Sequence, residues 1–340
     1  MGLCGSIAVV QEYRAIAAQE NVRITGGEKM EYPKNNFPGG VWPVMLTPFT
    51  EDNQIDEKAL RALVDWYIES GVKGLFAACQ SSEIHELSFE ERMRIAEITV
   101  DAAAGRVPVV ASGHTSDSLE DQAKDINTMW KTGVDAVILL TNRLAKEDES
   151  DEVWIENYHK LEKMIDPEIK LGVYECPRPY KRLLSIPVIT EIAKTNRFYF
   201  LKDTCCVAAD IREKLKAIEG TNLKLYNANA TTALESLRDG AAGYSGIMAN
   251  FHPELWVWLC EHYNDKPENA DRVQEVLMAA SLIERQLYPV NAKWHLKEIE
   301  KLPMTTKCRV QDDSLLFETW KEEVRMMDRL CNRTYEEYCK

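Results

Sequence analysis

From residue 41 onward the chain alternates short apolar runs with longer segments whose apolar positions recur at helical spacing. The runs cover 41–46, 74–78, 107–111, 136–140, 171–174, 198–201, 223–226 and 243–248. Each is short and lacks polar alternation, the pattern of a strand buried on both faces. The segments between them predict helices over 56–70, from Ser88, and near 117–132, 151–165, 186–196, 207–218, 231–239 and 253–263. Two of these carry start signals. Ser88 with Glu91 three residues on forms a capping box, and Ser185 is an N-cap with Pro187 in the first turn. Eight strand–helix units predict an α/β fold, a (β/α)8 TIM barrel over 37–265. An open doubly wound sheet is the alternative, but no Gly-x-Gly-x-x-Gly follows the first run. Residues 1–36 read as an N-terminal extension. Residues 266–340 read as a C-terminal helical segment, suited to subunit contacts or to a cap on the barrel.

Composition adds exclusions. The 340 residues are 45% hydrophobic and 28% charged, ordinary for a globular chain. A net charge of −14 argues against a nucleic-acid partner. No apolar stretch approaches the ~20 residues that span a bilayer, so no membrane partner is expected. Residues 1–10 lack a basic start, so no secretory signal is read there. Gly2 with Ser6 formally matches a myristoylation pattern, which is short enough to occur by chance. The nine cysteines have no metal-type spacing, and Cys205 and Cys206 are adjacent. Reduced thiols in a cytoplasmic protein are the expectation.

In such a barrel the chemistry sits where the strands end. The sixth run closes on Lys202, followed by Asp203 and Thr204. A lysine at the edge of a core is costly to charge, and a neutral amine attacks carbonyls. The plain alternatives are a lysine that reaches solvent or one that pairs with Asp203. The other strand ends supply Thr47, then Gln80-Ser81-Ser82-Glu83, Arg143, Tyr174, Arg178, Asn227 with Asn229, and Ser245. The Gln80–Ser82 turn offers hydroxyls and N–H groups to an anion, or simply caps the next helix. Arg143 could clamp a carboxylate or lie solvated. No metal shell is evident: Glu83 and His85 have no further ligand at suitable spacing.

Taken together, these segments resemble the dihydrodipicolinate synthase / N-acetylneuraminate lyase family over roughly residues 38–300. The resemblance is carried by Val44-Met45-Leu46-Thr47-Pro48-Phe49, Cys79-Gln80-Ser81-Ser82-Glu83, Phe200-Leu201-Lys202-Asp203-Thr204, residues 240–250, and Pro289-Val290-Asn291-Ala292-Lys293. It implies a class I aldolase or lyase acting on pyruvate or a related 2-keto acid and an aldehyde, with a 2-keto-3-deoxy sugar acid as the expected substrate type. Lys202 would form a covalent imine, with no other cofactor. Gln80 and Ser81 would hold the keto-acid carboxylate, and Ser81 would help relay a proton. Ser82, Thr47, Arg143, Arg178, Thr204, Asn227 and Ser245 are the further substrate-binding candidates. The family's habit implies a homo-oligomer, dimer or tetramer. The chain departs from its relatives after strand four, where Thr141-Asn142-Arg143-Leu144-Ala145 replaces a Pro-Tyr-Tyr segment. Tyr174 is the expected substitute proton carrier, or a packing residue at the mouth. A catalytically inactive keto-acid-binding barrel and a 4-hydroxy-tetrahydrodipicolinate synthase are the alternatives. A phosphate-site barrel ranks below them, because the last two strand ends lack Gly-rich loops.

Overall fold

Eight parallel strands close into a barrel in the order of the sequence. The computed structural model describes residues 23–25 and 29–340. The strands are β1 (Gly40–Val41), β2 (Leu75–Ala77), β3 (Val109–Ala111), β4 (Ala136–Leu140), β5 (Leu171–Tyr174), β6 (Phe198–Asp203), β7 (Lys224–Asn227) and β8 (Gly243–Tyr244). Each pairs in parallel with its neighbour from β2 round to β8 and on to β1, and a parallel bridge from Val44 to Phe76 closes the ring. The helices between and after them are α1 (Glu57–Glu69), α2 (Phe89–Ala103), α3 (Leu119–Trp130), α4 (Asp151–Glu162), α5 (Ile186–Lys194), α6 (Ala208–Ile218), α7 (Ala233–Arg238) and α8 (Pro253–His262). Three more follow: α9 (Pro267–Ala280), α10 (Val290–Glu298) and α11 (Glu318–Tyr338). Among the described residues, no helix is long and apolar enough to cross a membrane.

The first and last strands are only two residues long, far shorter than their apolar runs, for local reasons. Pro43 has no N–H to give, so the first run pairs in two pieces. Trp42 N–H donates to Tyr244 on one side (2.9 Å), and Met45 N–H donates to Phe76 on the other (3.0 Å). The last run ends at Tyr244, because the chain turns tightly at Gly246. A Cβ there would stand 2.1 Å from the Tyr244 hydroxyl and 2.5 Å from the Ala228 carbonyl. The chain then coils into the 3-10 turn Ile247–Asn250.

One end of the barrel is plugged. Phe37, Trp42, Phe76, Phe200 and Tyr226 are buried in one interior cluster. The Phe200 and Tyr226 rings stack at 4.4 Å. Trp42 Nε1 and the Tyr226 hydroxyl both donate to the Pro38 carbonyl, at 3.2 and 2.8 Å. Phe37 and Pro38 therefore seal the amino end, and the carboxyl ends of the strands are left as the open mouth.

Both helix-start signals act as expected. The Ser88 hydroxyl accepts from Glu91 N–H (3.2 Å), and Glu91 Oε2 accepts from Ser88 N–H (2.9 Å). The Ser185 hydroxyl accepts from Val188 N–H (3.4 Å). Replacing Ser88 by alanine strips one orphan N–H of α2 of its partner. It is expected to cost about 1 kcal/mol in urea unfolding. An unchanged midpoint would show that water replaces the cap at no cost.

The segment before the barrel is a unit of its own. Arg23–Thr25 pairs antiparallel with Lys29–Glu31. Residues 1–22 and 26–28, with Gly2 and Ser6, lie outside the described residues.

Candidate active site

Strand alternation decides what Lys202 does. Successive side chains of β6 point to opposite faces, so Lys202 and Asp203 part company. Asp203 turns outward to α6, where its carboxylate takes the Lys214 ammonium at 2.5 Å. Glu175, one residue past β5, takes the same ammonium at 2.5 Å. Lys202 turns inward and is 5% exposed. Both plain alternatives fail on this geometry: the amine neither reaches solvent nor pairs with Asp203. Its Nζ sits 4.2 Å from the centroid of the Tyr174 ring. Burial pulls the Lys202 pKa below the ordinary lysine value, with Cys79, Cys176 and Glu284 acting in the opposite sense. A larger neutral fraction of a strand-end amine is the condition for attack on a carbonyl.

Lys202 opens into a cavity of about 360 Å³ at the barrel mouth. Gln80, Ser81, Tyr174, Arg178 and Thr204, all expected site residues, line it with Lys202. The turn that presents Gln80 and Ser81 lies between two non-glycine residues with left-handed backbone, Ala78 (φ 45°) and Glu83 (φ 63°). Such conformations are costly away from glycine and persist where surrounding contacts fix them. Here the fixing contacts are visible. The Ser82 hydroxyl donates to the Met45 carbonyl (2.6 Å), and the Thr47 hydroxyl donates to the Ser82 carbonyl (2.8 Å). The Gln80 side-chain carbonyl accepts from the Cys176 thiol at 3.6 Å.

These bonds correct part of the expected binding set. Thr47 and Ser82 spend their hydroxyls on neighbouring carbonyls and do not line the cavity; they shape the turn. Arg143 is drawn aside by Asp117, with Nη1 2.9 Å from the carboxylate. Asn227 donates to the Thr232 and Ser236 hydroxyls, both at 3.0 Å, and its carbonyl accepts from Asn229 N–H. It holds the loop into α7. Ser245 is buried beside the turn at Gly246 and is likewise outside the lining. Asn229 does line the cavity.

Among the lining groups that were not anticipated, two titratable ones come from the C-terminal segment. Glu284 and Tyr288 come from the stretch between α9 and α10 and reach the mouth from outside the barrel. Burial lifts the Glu284 carboxyl pKa to about 7, with Lys202 and Arg285 pulling the other way. The Tyr288 phenol shares the cavity wall with Ser81 and accepts from Asn250 Nδ2 at 3.2 Å. Burial pushes the Tyr288 and Tyr174 phenols well above their usual pKa, so both stay protonated at neutral pH. The only sequence signal near this pair is Pro289-Val290-Asn291-Ala292-Lys293, immediately downstream.

A strap from the same segment roofs the cavity. Lys293 of α10 is fully buried and meets Glu83 at 2.8 Å. The second Glu83 oxygen accepts the N–H groups of Arg309 (2.5 Å) and Val310 (2.9 Å). Arg309 grips Glu91 with both Nη atoms, at 2.7 and 2.6 Å. Val310 and Gln311 thereby become cavity wall. The C-terminal segment is thus a cap on the barrel.

Comparison with known proteins agrees with this architecture. A family model described as the dihydrodipicolinate synthetase family matches residues 37–310. The 4-hydroxy-tetrahydrodipicolinate synthase of Anaplasma marginale is 27% identical over 245 residues, 72% of this chain and 79% of that enzyme. The enzyme of the same name from Methanothermobacter thermautotrophicus is 29% identical over 217 residues, 63% of this chain and 75% of its own length. Among solved structures, a Ruminococcus gnavus sialic acid aldolase superposes with a TM-score of 0.79 at 18% identity, covering 90% of this chain and all of that one (100%). The dihydrodipicolinate synthase of Acinetobacter baumannii, solved with pyruvate, gives 0.76 at 22% identity, covering 87% and 99%. At such identities the superpositions speak for the fold, and the family match speaks for descent. The chain belongs to the dihydrodipicolinate synthetase family and is a lyase of the aldolase type.

Proposed function

We propose that the protein makes or breaks a carbon–carbon bond between pyruvate, or a related 2-keto acid, and an aldehyde through an imine on Lys202. The observation that carries this reading is the buried, cavity-facing Lys202 amine with its lowered pKa. The amine adds to the keto carbon and the carbonyl oxygen leaves as water. The iminium then serves as the electron sink. Loss of a proton from the adjacent carbon gives an enamine, which attacks the aldehyde; the reverse sequence cleaves the product. Gln80 and Ser81 hold the keto-acid carboxylate. Arg178 and Thr204, across the cavity, face the remainder of the substrate, with a 2-keto-3-deoxy sugar acid as the class.

Glu284 takes the proton-carrier role in this scheme, with Tyr174 and the Ser81–Tyr288 pair as donors. A carboxyl that titrates near 7 exchanges protons at neutral pH with little driving force lost in either direction. Its sign is definite: neutral below about 7, it is a base only above it. Deuterium uptake into the pyruvate methyl group needs no aldehyde and should therefore rise through this range. In Glu284→Gln the uptake should fall roughly 10²- to 10⁴-fold and lose that inflection. A variant that keeps the wild-type pH profile would remove Glu284 from proton transfer.

The reading itself is tested by borohydride reduction in the presence of pyruvate and a panel of 2-keto acids, followed by peptide mass spectrometry. A reduced adduct on Lys202, absent in Lys202→Ala, is the expected result. No adduct with any of them would remove the aldolase mechanism.

A further inference from the structure

Far from Lys202 in role, a second cluster of reactive groups lies where the cap meets the barrel. His252 stands at the start of α8, His295 on α10, and Asp328 with Cys331 on α11. All four are buried. His252, His295 and Asp328 each present a ligand-capable atom within 4.8 Å of the others. Asp328 and Cys331 are three residues apart on one helix, so they share a face. The Cys331 thiol neighbours the His252 imidazole but stands just outside the three atoms that lie within 4.8 Å of one another, so it would have to move in to bind.

Ordinary hydrogen bonding does not account for this packing. His295 Nε2 stands 3.5 Å from Asp328 Oδ1, at the outer limit of a hydrogen bond. His252 Nε2 and His295 Nδ1 are buried with no hydrogen-bond partner among the described residues. Two imidazoles and a carboxylate left half-paired in a core are expensive. A separation of about 3.4 Å is, however, what two ligands adopt across a tetrahedral zinc ion with bonds of about 2.0–2.2 Å.

The groups behind the cluster have the arrangement that metal ligands use. Glu254 stands 3.4 Å from His252 Nδ1, which leaves Nε2 to face inward. Asn332 donates to Asp328 Oδ2 at 3.1 Å and leaves Oδ1 toward His295. A carboxylate on the far side of a histidine and a donor on the spare oxygen of a carboxylate fix ligand orientation in metal sites.

We infer that His252, His295 and Asp328, with Cys331 as fourth ligand, form a structural site for a zinc-class divalent ion that pins the C-terminal helix to the barrel. Binding takes the thiol as thiolate and releases its proton to solvent. Nitrogen, oxygen and sulfur donors in a closed buried set suit zinc or cobalt rather than magnesium or calcium. The site is separate from the imine chemistry and makes no claim on it.

The test uses the full chain, stripped of metal with chelator and shown to be folded by circular dichroism. Zinc chloride is titrated against a chromophoric chelator, and cobalt chloride is added separately for absorption spectra. One zinc per chain is expected. Asp328→Asn and His252→Gln should each weaken uptake at least about tenfold. The cobalt protein should show tetrahedral visible bands and a thiolate charge-transfer band that Cys331→Ser abolishes. Folded wild-type protein that takes up no stoichiometric zinc would overturn the site, and so would uptake indifferent to both ligand variants. A cobalt protein with no thiolate band would remove Cys331 from it. Because the wild-type measurement decides alone, a variant that fails to fold does not rescue the inference.

Discussion

Lys202→Ala is expected to abolish deuterium uptake into pyruvate, with a loss of roughly 10⁴-fold or more, because on the proposed imine mechanism the nucleophilic amine has no stand-in. Lys214 is the nearest other buried lysine in sequence, but both its carboxylate partners hold it charged on the outer side of the barrel wall. It cannot substitute without breaking that triad. Lys202→Arg separates charge from nucleophilicity: the guanidinium keeps a cation over Tyr174 but stays protonated. Both variants should be equally inactive. Proton exchange that survived in Lys202→Ala, corrected for the uncatalysed reaction, would mean that enolisation proceeds without an imine.

Lys293→Met should be the most damaging single change to stability. The substitution keeps the volume but leaves the Glu83 carboxylate buried without its cation. Breaking such a pair costs about 3–5 kcal/mol, which corresponds to a fall in Tm on the order of 10 °C. The backbone N–H groups of Arg309 and Val310 still reach Glu83, which bounds the loss from above. The double variant Glu83→Gln with Lys293→Met should recover part of the stability, since no uncompensated charge remains. A single variant as stable as wild type would show that the ammonium contributes nothing net to holding the strap.

The legibility of this chain follows the range of its interactions. Whatever is decided within a few residues could be read in advance: the Ser88–Glu91 box, the Ser185 cap, the eight apolar runs. Lys202 was readable because a lysine breaks an apolar pattern at a strand end. Local pattern did not reveal which strand-end hydroxyls face the cavity. Thr47 and Ser82 have the same chemistry as Ser81, but a carbonyl of a neighbouring segment, Ser82 for the one and Met45 for the other, lies within reach and claims them. Glu284 and Tyr288 were illegible for another reason. Glu284 faces Lys202 from 82 positions downstream, and Lys293 meets Glu83 across 210 residues; no periodicity records such a pairing.

The roof over Lys202 also has a consequence for the order of assembly. Strands and barrel helices precede the strap in the chain, so a nascent polypeptide can complete its ring before Glu284, Tyr288 and Arg309 exist. At that stage Glu83 faces the mouth with neither Lys293 nor the Arg309 and Val310 amides, and the cavity has no far wall. Such an intermediate would carry a correctly placed amine with nothing to exclude water from it. On the proposed mechanism, covalent competence would then arrive last, with the docking of the strap.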